Sequence, residues 1–305
     1  MHRDNSDNHN PESKQSIFIK KFLTLTKMKE TTLKNIVDKR VFIDKKNETP
    51  IPSHKLFKKY NITQTLINKR NVFTISPLNS ESDILVLFIH GGAYMANFQP
   101  MYWSFIDKII DKTNTTFICP DYPLAPDNTW KEAFHMLNKI YDEKDLVNKK
   151  YILMGDSAGA GLSLSWLISR KGSNFKKPEQ LIFLSPWFDI TLNNPEIDLL
   201  EHNDPYLSRE ALQKAGKYWA GEILTDSWEV SPLNGDLNGL PPVTIFTGTA
   251  DILNNDAKVF KNKTEEYIDL KLNYREYKYM IHDWMFFKMP ESDQCCNEIV
   301  ALIKR

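Results

Sequence analysis

The sequence predicts an α/β protein, with a mostly parallel central sheet flanked by helices. Three observations point there. Several short stretches are apolar without alternation, as in ILVLFIH (84–90), YILM (151–154) and QLIFL (180–184). Strands buried on both faces read this way, whereas a half-solvated strand alternates. These runs are separated by stretches with apolar residues at helical spacing, and strands alternating with helices build parallel sheets. Finally, 305 residues with 41% hydrophobic and 26% charged content suffice for one large core, or for one domain plus a lid.

The elements follow in order. Residues 1–16 are polar and read as a disordered tail. Residues 17–37 place Phe18, Phe22, Leu25, Leu33, Ile36 and Val37 at helical spacing, with lysines on the other face. A basic membrane-surface helix is one reading; a lid or packing helix with a solvated face is preferred, which makes 17–55 a set of N-terminal cap helices. Short strands are expected near 56–62 and 70–76. Then come the strand 84–90, a helix near 101–112, the strand 115–123 and a helix at 128–143. YILMGDS (151–157) is a strand, and 158–170 a helix stopped near Lys171 and Gly172. Strands at 180–186, 242–251 and within 270–283 precede a final helix over 291–304. The rhythm breaks between about 187 and 241, a stretch too long for a simple crossover and read as an inserted lid. It holds one clear helix, with Ser208 as N-cap, Glu210 in the first turn, and Leu207 and Leu212 placed for a hydrophobic staple.

Charge narrows the functional classes. Lys+Arg and Asp+Glu are 39 each, so nothing marks nucleic acid as the partner. No apolar run approaches the roughly 18 residues that span a bilayer, so no integral membrane segment is expected. The N-terminus has no apolar core and does not read as a signal peptide. Three cysteines, Cys119, Cys295 and Cys296, form no CxxC pair and fit a reducing, cytoplasmic setting. No clustered His/Cys ligand pattern exists, so neither a metal nor an organic cofactor is expected. A homodimer is left open.

The chemistry enters at GDSAG (155–159), where the buried strand ends and the period changes to helical. A turn tight enough to expose a serine oxygen strains that residue and brings its neighbours two before and two after close together; Gly155 and Gly159 stand there. G-x-S-x-G in this setting is a nucleophile elbow, which makes Ser157 the candidate nucleophile. A serine needs a base. Of seven histidines, His282 alone lies in a loop straight after the last strand. The acid belongs after an intermediate strand, and Asp251 follows TIFTGTA, giving the chain order serine, acid, histidine. Asp256 and Asp283 are weaker acid candidates; Asp283 adjoins the histidine and is poorly placed to reach its ring. HGGAY (90–94) follows the first buried strand. There Gly91, Gly92 and Ala93, with Ala158 from the elbow, are candidates for an oxyanion hole, Gly91 providing the turn.

HGGAY, DYPLAPDNTW, GDSAGAGL, LSPWFDIT, SPLNGDLNGLPP, GTADIL and IHDW occur in the order and approximate spacing of the hormone-sensitive-lipase-like branch of the α/β-hydrolases. The chain resembles that branch over roughly residues 80–300. The resemblance implies an α/β-hydrolase fold over 56–305 with a helical cap, and a serine esterase whose triad is Ser157, Asp251 and His282. Two positions depart from it: Ala93 where glycine is usual, and Pro123 where arginine is frequent. Asp121 and Tyr122 are expected to brace the oxyanion loop.

The expected substrate is a small ester with a short to medium acyl chain. Tyr94, Trp187, Phe188, Tyr206, Tyr218, Trp219 and Trp284 are expected in or beside the pocket rim. Two rivals are an arylformamidase or deacetylase of the same fold and, more remotely, a non-catalytic small-molecule receptor.

Overall fold

The computed structural model describes residues 3–4, 11–38, 51–78, 84–267 and 269–304. In chain order its elements are Arg3–Asp4 (β1), Lys14–Leu25 (α1), Met28–Val37 (α2), His54–Lys59 (α3), Tyr60–Ile67 (β2), Arg70–Pro77 (β3), Ile84–Ile89 (β4), Pro100–Thr113 (α4), Thr116–Pro120 (β5) and Trp130–Glu143 (α5). There follow Lys150–Asp156 (β6), Ser157–Ser169 (α6), Gln180–Leu184 (β7), Glu196–Glu201 (α7), Arg209–Ala220 (α8), Val243–Gly248 (β8), Asn254–Thr264 (α9), Leu272–Tyr277 (β9) and Pro290–Ile303 (α10).

The strand order is β1-β9-β8-β7-β6-β4-β5-β3-β2. All pairings are parallel except β2 with β3 and β3 with β5. The unalternating runs are explained by two-sided burial. Leu85, Leu87 and Ile89 of β4 join a core with residues of α5, α6, α8 and α9, while Val86 and Phe88 join a second core with residues of α4 and α10. The winding reverses at β4, which pairs with β5 on one side and β6 on the other. The loops that leave the carboxyl ends of β4 and β6 therefore meet at a topological switch point, where open α/β sheets bind ligands.

Three elements differ from the sequence reading. The expected single helix over 17–37 is two helices, because Lys27 takes a left-handed conformation, φ 50°, between Leu25 and Met28. Residues 54–59 form a helical turn, not the start of a strand. β2 runs from Tyr60 because the hairpin turn Asn68–Lys69, φ 52° and 64°, sets the register from Ile67↔Arg70 back to Tyr60↔Pro77; a two-residue turn with both φ positive matches the strand twist. Of the expected disordered tail, residues 1–2 and 5–10 lie outside the described residues. Arg3–Asp4 pairs with β9, and Ser13 caps α1 by accepting from the Ser16 N–H at 3.1 Å.

The stretch 187–241 adds no strand to the sheet. It contains α7 and α8, with the Ser208 hydroxyl accepting from Ala211 N–H and Leu207 and Leu212 both buried. α2 packs on α8, and Lys29 donates to the Glu201 carbonyl at 2.7 Å. The N-terminal helices and the insertion thus meet above the sheet. Among the described residues no helix is long and apolar enough to cross a membrane.

Candidate active site

β6 ends in Asp156, and α6 begins at Ser157 with φ 48°. That strain points the hydroxyl away from the sheet and is tolerated because the turn is over-determined by packing. A Cβ on Gly155 would sit 2.7 Å from the Gly159 backbone, and one on Gly159 would sit 2.1 Å from the Ile89 carbonyl oxygen. Only glycine permits both approaches.

The structure brings the three residues singled out after β6, β8 and β9 into one line. The Ser157 Oγ lies 2.9 Å from His282 Nε2. His282 Nδ1 lies 2.9 Å from Asp251 Oδ2. In the neutral ring the carboxylate there accepts a hydrogen bond from Nδ1–H, which leaves Nε2 as acceptor for the serine hydroxyl. All three residues are buried. Asp251 also accepts the Leu253 N–H through Oδ1 at 2.8 Å, which fixes its carboxylate ahead of α9.

The loop after β4 lies against the serine. Gly92, Ala93 and Tyr94 all have positive φ, 104°, 54° and 60°, so its amides turn out of the strand direction. Among the described residues no loop or turn backbone hydrogen bond uses the N–H of Gly92, Ala93 or Ala158. Gly91 differs: its N–H donates to Asp156 Oδ1 at 2.9 Å. This corrects its place among the oxyanion candidates: it braces the loop, and the turn itself is made by Gly92, Ala93 and Tyr94. Asp121 and Tyr122 brace the same loop: the Phe98 N–H donates to Asp121 at 3.0 Å and the Tyr122 hydroxyl to the His90 carbonyl at 3.0 Å. Arg70, from β3, pairs with Asp121 at 2.8 Å, so a cation reaches this carboxylate although position 123 is proline.

Two expectations need correction. Asp283 is not remote from the ring: its Oδ2 lies 3.3 Å from His282 Nε2. Its left-handed backbone, φ 54°, folds the side chain back over the histidine, which adjacency in sequence does not reveal. Most of the supposed rim aromatics are core. Trp187, Phe188 and Trp284 are completely buried, and Tyr94 and Trp219 are almost so. Tyr94 stacks on Trp219 at 4.3 Å between ring centroids. Phe188 packs on Phe183 and Phe260, and Trp284 on Tyr277. Large rings stabilise by burying area, and these do so in the two cores, Trp284 in one and the other four in the other. Tyr206 and Tyr218 keep partial exposure, and the Tyr206 ring lies 6.1 Å from that of His282.

Residues not singled out from sequence complete the site. Asp156 is fully buried and accepts from Gly91 N–H and from the Tyr102 hydroxyl, 2.9 Å away. Burial raises its carboxyl to about 7, against the lowering effect of these hydrogen bonds. Burial also pushes Asp283 well above the carboxylate range; His282 opposes this, while Asp156 and Asp251 add to it. Asp204, in the insertion, accepts from the N–H groups of Tyr206, Leu207 and Ile252. Burial and the neighbouring Asp251 charge raise it to about 6. Burial disfavours the charge on His282, but the carboxyls of Asp283 and Asp251 outweigh it and push the imidazole up to about 10. The position of Asp156 beside the serine is a local signal; nothing local links Asp204 to a loop 47 residues on.

A cavity of about 620 Å³ opens between the N-terminal helices and the insertion. It is lined by Leu23 and Thr24 of α1, Lys29 and Glu30 of α2, Asp198 and Glu201 of α7, and residues 202–205. Neither Ser157 nor His282 lines it; Asp204 is the wall it shares with the Asp251 loop.

A switch-point serine on a strained strand–helix turn, hydrogen-bonded to a histidine and through it to an aspartate, is the arrangement of the α/β-hydrolase class. Comparison with known proteins agrees. Residues 86–286 match the family model described as alpha/beta hydrolase fold. An esterase of Acinetobacter venetianus is 33% identical over 221 residues, 70% of this chain and 73% of that protein. An acetyl-hydrolase of Streptomyces hygroscopicus is 25% identical over 227 residues, 72% of this chain and 75% of the relative. The crystal structure of an esterase from the bacterial hormone-sensitive lipase family superposes with a TM-score of 0.80, at 19% identity over 97% of this chain and 99% of that one. The chain belongs to the α/β-hydrolase fold family.

Proposed function

We propose that the protein is a serine carboxylesterase acting on short- to medium-chain acyl esters, with Ser157 as nucleophile, His282 as base and Asp251 as its partner. The observation that carries this reading is the pair of 2.9 Å contacts joining the three residues. The names of the relatives, esterase and acetyl-hydrolase, support the reaction class. Three buried free cysteines support a cytoplasmic setting.

The geometry supports the following steps. Ser157 Oγ attacks the ester carbonyl carbon as its proton passes to His282 Nε2. The carbonyl oxygen becomes an oxyanion facing the N–H groups of Gly92, Ala93 and Ala158, the last at the positive end of α6. The tetrahedral intermediate collapses, the C–O bond to the alcohol breaks, and His282 returns the proton to the departing oxygen. Water then attacks the acyl-enzyme by the same route, releasing the acid and restoring Ser157. Asp251 holds the Nδ1 proton and stabilises the imidazolium formed in each half-reaction.

Stopped-flow hydrolysis of p-nitrophenyl acetate, butyrate and octanoate tests this directly. A burst of nitrophenol equal to the enzyme concentration is expected, with rates highest for acetate or butyrate. No burst and no turnover on any of them would overturn the esterase reading. A steep fall beyond acetate would favour the deacetylase that the acetyl-hydrolase relative suggests.

The charge around His282 predicts the pH profile. A protonated Nε2 cannot accept the serine proton, so activity requires the neutral ring. Because that pKa is pushed up to about 10, kcat/KM is expected to rise about tenfold per pH unit on its acid limb, past the ordinary histidine range. A profile already flat at neutral pH would show that the carboxyls do not hold the proton on His282.

A further inference from the structure

Helix α1 presents an apolar side to water. Phe18, Phe22 and Leu25 recur at i, i+4 and i+7, one face of a helix, and they are 69%, 51% and 82% exposed; Ile17 beside them is 39% exposed. The opposite side of the helix is the buried one, through Ser16 and Leu23. The sequence reading put these apolar residues inward and the lysines on a solvated face. The structure instead shows both on the outer side. Lys14 and Lys21 are exposed there, and Lys27 is exposed in the turn that follows Leu25. Among the described residues none of the three makes an ion pair, whereas Lys20 pairs with Glu12 and Lys29 with Glu201. Residues 11–38 hold six lysines against Glu12, Glu30 and Asp38, in a chain of zero net charge.

This helix borders the cavity beside the site. Its Leu23 and Thr24 line the cavity that Asp204 closes. Ser13, at its head, donates to Glu291 at 2.8 Å, and the Lys20 ammonium sits 5.9 Å from the ring of Tyr279, in the loop that carries His282.

We infer that the outer face of α1 is a docking surface for an anionic phospholipid bilayer, in which Phe18, Phe22 and Leu25 enter the headgroup–acyl boundary and Lys14, Lys21 and Lys27 meet lipid phosphates. An exposed apolar stripe flanked by unpaired cations is the pattern of an interfacial helix. A second copy of the chain fits worse. A two-fold contact sets like against like, bringing each set of lysines against the other, and one helix stripe falls short of the area a stable dimer buries.

Vesicle flotation tests the inference, with the wild type and with Ser157→Ala so that binding is read apart from hydrolysis. Both are expected to float with phosphatidylglycerol–phosphatidylcholine vesicles and much less with phosphatidylcholine alone. The triple change Phe18→Ser, Phe22→Ser, Leu25→Ser is expected to lower partitioning by about tenfold or more, and Lys14→Glu, Lys21→Glu, Lys27→Glu to remove the preference for anionic vesicles. Both variants are expected to keep wild-type turnover of soluble p-nitrophenyl butyrate, since none of the six residues touches the site. Absence of wild-type binding to anionic vesicles, or equal binding by the Phe/Leu variant, would overturn the inference. So would a wild-type dimer in sedimentation velocity that this variant turns into monomer, because the face would then be covered by a second copy.

Discussion

Ser157→Ala is expected to lower kcat on p-nitrophenyl butyrate by about 10⁴-fold or more, with the burst abolished. At 1.36 kcal/mol per factor of ten this is roughly 5 kcal/mol of lost transition-state stabilisation. The substitution removes one oxygen from a buried site and leaves the packing of the turn unchanged. Alanine inherits the φ of 48° at a cost similar to that of serine. The melting temperature is therefore expected to stay within a few degrees of wild type, by the size of ordinary non-cavity changes. Retained turnover in a folded variant would remove Ser157 from the chemistry. What survives in the variant is expected to measure the contribution proposed for the Gly92, Ala93 and Ala158 amides together with substrate binding, because those groups stay in place.

Gly159→Ala is expected to damage both stability and activity. The added Cβ would meet the Ile89 carbonyl oxygen at 2.1 Å, its carbon at 2.6 Å and the His90 oxygen at 2.5 Å. These are backbone atoms at the end of a central strand and cannot step aside as a flexible side chain could. Overpacking of this kind costs about 3 kcal/mol, which lowers the melting temperature by roughly 5–10 °C. The displaced strand end carries residues 90–94, so kcat is expected to fall at least about tenfold as the amides leave their positions. Gly172→Ala is the control. Nothing lies within 4 Å of its Cβ position, and only its φ of 76° opposes the change, worth about 1 kcal/mol. Equal melting temperatures for the two variants would contradict the close approach of α6 to β4.

Local rules made much of this protein readable. Two-sided strands announce themselves by unbroken apolar runs, and β4, β6 and β7 lie where such runs occur. Ser157, Asp251 and His282 were legible because each stands where a strand ends and because the chain order of such a site is restricted. The oxyanion candidates were legible from glycines after the first buried strand. Where one backbone dihedral decides, the reading failed. Lys27 breaks a helix by adopting φ 50°, and Asp283 turns back onto the histidine at φ 54°. No hydrophobic period reports either event. The aromatic residues near the motifs were misplaced for a related reason: apolar character states that a ring is to be covered and says nothing of whether substrate or core covers it. Packing decided that Trp187, Phe188 and Trp284 are core.

By itself, then, the sequence determined the α/β class, the order of the main strands and helices, and the residues at the strand ends, because periodicity and turn chemistry act over a few positions. The tertiary structure alone decided how Asp204, from the insertion, comes to brace the Asp251 loop, how Asp156 and Asp283 come together over His282, and that α1 turns Phe18, Phe22 and Leu25 to solvent. Those outcomes depend on contacts between segments far apart in the chain, and the direction a helix faces is set by what packs beneath it.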